Sequence, residues 1–100
     1  MNSSEALAIL NAWKSNQLGI FVLWVASANG VPAVAFDFEG WIRDVDEDAI
    51  AIVGAPSSRI EGVDKLHARF LLKDSTPSDP DPRRVRFTFL SGAVLDLLLS

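Results

Sequence analysis

The residues that could do chemistry in this chain fall into a few groups. Asp44, Asp46, Glu47 and Asp48 form the densest acidic cluster. Alternating aspartates supply oxygen ligands in the way a calcium loop begins. The continuation fails, because the sixth position from Asp44 is Ala49 rather than Gly and the twelfth is Ala55 rather than Glu. The cluster therefore reads as a solvated turn. His67 is the only histidine, and there is no cysteine and no Gly-x-Ser-x-Gly elbow to give it a nucleophile. Asp37 and Glu39 project from one strand face roughly 7 Å apart, the ordinary spacing of exposed strand carboxylates. Arg83, Arg84 and Arg86 make the one basic patch, which Arg69 and Lys73 of a neighbouring strand could extend. Cross-strand pairing of these cations with the acidic turn, Asp37 and Glu39 accounts for them without a phosphate ligand. Trp41 alternates onto the face of Asp37 and Glu39, where an exposed indole suits a subunit contact first and ligand stacking second.

No catalytic or metal constellation emerges, and no cofactor is implied. The expectation is a non-enzymatic binding or scaffold module. The residues with most to offer a partner are Trp41, Asp46, His67, Arg84 and Arg86. A metal- or ligand-binding barrel using the acidic face is an alternative.

Bulk properties bound the rest. The 100 residues suffice for one domain with one core. Net charge is −4 and the pI is about 4.7, a poor start for neutralising phosphates, so RNA is a disfavoured partner. The absence of cysteine fits a reducing compartment, and the start of the chain lacks the basic, apolar pattern of a signal peptide, so the expected location is cytoplasmic. Residues 15–36 carry no charge and match a membrane span in length. They also hold Asn16, Gln17, Pro32 and an Asn29-Gly30 hairpin signal, which argues against that reading.

The elements follow from periodicity. Ala6, Ile9, Leu10 and Trp13 form one stripe of a helix over residues 3–17, capped by Asn2 or Ser3, with Glu5 near its positive end and Gly19 as its stop. This helix is expected to lid an open barrel end. Ile20 to Ala28 is a strand apolar on both faces, so something must cover each face. Val31 to Arg43 alternates Val34, Phe36, Phe38 and Ile42 against Asp37, Glu39, Trp41 and Arg43, with Gly40 placed for a bend or bulge. Asp44 to Asp48 is a turn, Ala49 to Gly54 a third strand and residues 55–65 a loop. Leu66 to Lys73 alternates as a fourth strand. Residues 75–83, with most of the prolines, read as a flexible loop. Val85, Phe87 and Phe89 mark a fifth strand. After the Ser91-Gly92 turn, residues 93–99 form a sixth strand or a continuation of the fifth. Helix 3–17 and barrel 19–99 make one all-β domain of five or six short strands.

The central hairpin resembles the first signature of the Sm-like proteins: a glycine, an aliphatic residue two positions on, a hydrophobic at plus five and an aspartate at plus six. Gly40, Ile42, Val45 and Asp46 hold those places, followed by the strand Ala49-Ile50-Ala51-Ile52. The family's Arg-Gly-Asn run has no counterpart. Nor does the Tyr-Lys-His run of its RNA-chaperone branch, since Tyr is absent and Leu66 separates Lys65 from His67. What the resemblance implies is a strongly bent small barrel, Sm-like or SH3-like, and a homo-oligomeric ring of roughly five to seven copies. RNA binding is not carried over at these positions, and an RNA-binding Sm-like ring protein is the alternative function that the resemblance offers.

Overall fold

A computed structural model describes residues 3–28, 31–56, 66–78 and 81–100. The chain is all-β apart from one N-terminal helix. Helix α1 (Ser3–Ser15) leads into β1 (Ile20–Ala28), β2 (Val31–Val45), β3 (Ala49–Pro56), β4 (Leu66–Leu71), β5 (Ser75–Ser78), β6 (Arg84–Phe89) and β7 (Val94–Leu99). All seven strands share one antiparallel sheet in the order β4-β3-β2-β1-β7-β6-β5. Sequence-adjacent hairpins make five of the six ladders, and the sixth, β1 with β7, joins the two ends of the chain.

Two expectations about strand number change. Residues 75–78, read as part of a flexible loop, form β5. The strand exists because Ser75 to Ser78 finds Phe89 to Arg86 in register on β6. Pro77 lacks an N–H, which the sheet tolerates because β5 is an edge. Residues 93–99 yield a separate strand, β7, after a reversal in which the Phe89 and Gly92 amides donate to Ala93 and Phe89 carbonyls at 2.9 Å. The sheet therefore has seven strands rather than five or six. The ladder also runs from β4 to β5 without closing between them, so the expected barrel is a strongly curved open sheet. The Asn29-Gly30 turn and most of the 55–65 loop lie outside the described residues, as does Asn2, the first of the two expected caps. The β1–β2 ladder reaches Ala28 and Val31 on either side of that turn.

The helix ends earlier than Gly19. The Gln17 amide donates to the Lys14 carbonyl at 3.1 Å and the Leu18 amide to the Trp13 carbonyl at 3.0 Å. This is the paired hydrogen-bond pattern that closes a helix through a left-handed residue, and Gln17 is that residue, at φ 52°. Ala6, Leu10 and Trp13 are buried in the core, and the helix packs on β2 and β5. Those strands stand far apart in the sheet order, so the helix bridges its concave side.

Curvature has a local cause at Gly40. It pairs with Gly54 on β3, and a Cβ on Gly40 would meet the Val53 carbonyl oxygen and lie 2.9 Å from the Gly54 Cα. A Cβ on Gly54 would likewise meet the Glu39 carbonyl. Two side chains are missing where the backbones pinch together, and the long strand bends there. The register shift comes three residues later. Ile42 faces Ile52 and Asp44 faces Ala51, leaving Arg43 as the extra residue of a bulge. The bend wraps the sheet around Trp24. In a flat sheet β1 and β4 would lie about 14 Å apart, yet the Trp24 and Phe70 ring centroids are 5.4 Å apart. Phe89 meets the other side of Trp24 edge-on at 5.5 Å.

The two sheet edges meet at a corner. Only residues 72–74 join β4 to β5. The Leu72 amide donates to Asp48 O at 2.8 Å, the Ser75 amide and hydroxyl donate to Leu72 O, and the Leu90 amide donates to Asp74 O at 3.0 Å. Asp74 takes φ 61° to make the corner.

Candidate functional site

Cross-strand register decides which polar residues meet. Opposed residues share a face. On the outer face one row therefore runs Trp41, Val53, His67 across β2, β3 and β4. A second row runs Glu39, Phe21, Leu98, Arg84 across β2, β1, β7 and β6, and a third Asp37, Leu23, Asp96, Arg86. The five residues singled out from the sequence do not gather into one site. His67 is exposed on β4, two strand spacings from Trp41. Arg84 and Arg86 lie on β6, beyond β1 and β7 from Trp41.

Arg84 and Arg86 are organised by a carboxylate that sequence reasoning missed. Asp96 is the one buried charged side chain among the described residues. Arg84 donates to it from Nε at 3.0 Å and from Nη2 at 2.6 Å, and Arg86 from Nη2 at 3.0 Å. The expected partners, Asp37 and Glu39, sit on β2 with two strands between, because β6 pairs with β7. The signal was present: Asp96 is the only charge in the strand Val-Leu-Asp-Leu-Leu-Leu.

Asp46 belongs to the β2–β3 turn. Its Oδ1 accepts from the Asp48 amide at 2.8 Å and the Ala49 amide at 2.9 Å, while its own amide donates to Ala49 O at 3.0 Å. The Asp48 amide first, then the Ala49 amide, and more weakly the Arg69 charge hold its carboxyl below the usual aspartate range. Asp44 accepts from the Val45 amide at 3.0 Å and from Lys14 Nζ at 3.4 Å. The acidic cluster thus directs carboxylates at backbone amides and a lysine. Among the described residues no three His, Asp or Glu side chains converge to hold a metal ion.

One concavity stands out. An open cleft of about 620 Å³ lies between the end of α1 and the bulged part of β2, lined by Lys14, Gln17, Gly19, Trp41, Ile42 and Arg43. Its geometry follows from two features already described. The left-handed turn at Gln17 ends the helix just before β1 starts at Ile20, opposite Gly40 of β2, and the bulge leaves both Arg43 and Asp44 exposed before Val45 turns inward. Trp41 forms one wall and is 42% exposed. Alternation alone places Trp41 and Arg43 on one face; the part taken by Lys14 and Gln17 depends on how the helix ends and was not legible.

Comparisons with protein-family models, with curated proteins and with solved structures find no match for this chain. No helix among the described residues is long and apolar enough to cross a membrane.

Proposed function

We propose that the protein is a non-enzymatic, self-associating scaffold of the Sm-like kind, assembling through its sheet into a homo-oligomer. The observation that carries the reading is the outer face of β1. Phe21 and Leu23 stand 44% and 39% exposed on the central strand of the sheet. The helix covers the concave side and leaves this face open. An apolar stripe at the middle of a sheet loses its contact with water when a second subunit covers it.

The sheet edges give the assembly a direction. Among the described residues β4 pairs only with β3, and β5 only with β6. Leu71, at the end of β4, is 64% exposed. Pairing of the β4 edge of one copy with the β5 edge of the next removes both edges, and repetition head to tail closes a ring. The order of elements supports the Sm-like reading: a helix, a four-strand meander with a glycine-permitted bend in β2, and a last strand that returns to β1. The β5–β6 hairpin is an addition to that plan.

Sedimentation velocity at micromolar concentration tests the reading. The wild-type chain sediments as a defined oligomer, and the double variant Phe21→Glu, Leu23→Glu shifts it toward monomer with an unchanged far-ultraviolet circular dichroism spectrum. A double variant that keeps the wild-type oligomer would remove β1 from the contact.

A further inference from the structure

We propose that the cleft between the end of α1 and the bulge of β2 binds a small planar aromatic anion, a ring system bearing a carboxylate or phosphate group. The chain has three tryptophans, and two are already engaged. Trp13 is buried in the core and Trp24 is packed between Phe70 and Phe89. Trp41 has no ring partner among the described residues and keeps 42% of its surface open. An indole held on a rigid strand, with one wall of a cleft to itself, is a stacking platform that loses little freedom when a ring settles on it.

The charges beside it select the ligand's sign. The lining contains Lys14 and Arg43 and no carboxylate, in a chain whose net charge is −4. Arg43 forms no ion pair with any described residue. Lys14 reaches Asp44 only at 3.4 Å, with both side chains substantially exposed, a contact of the exchangeable surface kind. Arg43 is also the extra residue of the bulge, a device that re-aims a side chain at the cost of a regular ladder. A volume of about 620 Å³ accommodates a bicyclic ring with its head group. In the bound state the ring stacks on Trp41, and the anionic head accepts hydrogen bonds from Lys14 Nζ and the Arg43 guanidinium.

The test is a ¹H–¹⁵N nuclear magnetic resonance titration of the full chain, following the indole N–H and the amides of residues 41–43. The probes are 2-naphthoate and 2-naphthyl phosphate, with 2-naphthylmethanol and acetate as controls. At least one naphthyl anion saturates these signals, and the tighter of the two identifies the preferred head group. The neutral ring and the bare anion bind at least about tenfold more weakly. Trp41→Ala and, separately, Arg43→Gln each weaken the anion at least about tenfold while the remaining amide spectrum is retained. The proposal is overturned if neither anion saturates by about 10 mM, if 2-naphthylmethanol binds as tightly as the anions, or if both variants bind like the wild type.

Discussion

Asp96 shows how a single residue acts in this protein. Its carboxylate lies under two arginines on a face that is otherwise apolar at β1 and β7. Removing it leaves two guanidinium groups without their buried partner. Asp96→Ala is expected to cost about 2–4 kcal/mol in urea denaturation, below the full penalty of a deeply buried pair because both arginines reach solvent. A loss under about 0.5 kcal/mol would make the cluster an incidental surface contact. Asp96 was visible in the sequence as a lone charge in an apolar strand. Its partners were not, because only the β6–β7 register sets Arg86 opposite it.

Gln17 and Asp46 are single-residue devices of a different kind, set by backbone geometry. Gln17 occupies a left-handed position that glycine fills without steric cost. Gln17→Gly should therefore raise stability by about 0.5–1 kcal/mol in thermal melts, and a destabilised variant would mean that the Gln17 side chain contributes more than its backbone strain costs. Asp46 has a folded-state carboxyl pKa lowered by two turn amides. A lowered folded pKa stabilises the fold at pH values above the unfolded aspartate pKa of about 3.9, and that contribution is lost as pH falls through the folded value. Asp46→Ala should lower the melting temperature near pH 7, with the gap to wild type shrinking below about pH 4. A gap independent of pH would assign Asp46 a role other than acceptor for these amides.

At the scale of elements, the bend of β2 depends on the Gly40–Gly54 pair. Gly40 stood out in the sequence as a gap in the inward series of an alternating strand. Gly54 did not, since its meaning comes from pairing, and the pairing depends on a bulge at Arg43 that no residue type announces. A Cβ at either glycine runs into the facing backbone, which cannot move aside as a side chain tip can. Gly40→Val is expected to abolish soluble folded protein, and Gly40→Ala to lower stability by about 1–3 kcal/mol, read by circular dichroism melts. An unchanged melting temperature in Gly40→Val would show an ordinary strand position. The helix stripe Ala6, Leu10 and Trp13 and the inward strand residues Phe38, Ile42, Phe70, Val85 and Phe87 were legible because apolar residues recur there at helical or alternate-residue spacing. Strand β5 was not: Ser-Thr-Pro-Ser carries loop composition and becomes a strand only because β6 offers it an edge.

At the scale of the whole molecule, two properties bear on partners. The chain is acidic overall, and its most basic strand spends guanidinium donors on Asp96. Affinity for U-rich RNA near physiological salt should therefore be no tighter than the non-specific range of roughly 10⁻⁴–10⁻⁶ M. Sub-micromolar binding that falls on replacing Arg84 and Arg86 by Ala would make the protein an RNA binder. The second property is the open outer face, with edge strands β4 and β5 that each pair with one neighbour only among the described residues. The exposed stripe was predictable from Ile20 to Val25 being apolar on both faces, whereas the open edges followed only from the strand order. Light scattering after size exclusion at micromolar concentration tests self-association most directly. The expected result is a single species with a mass of roughly five to seven times the 10.9 kDa chain. A species of 10.9 kDa that persists as concentration rises would contradict it.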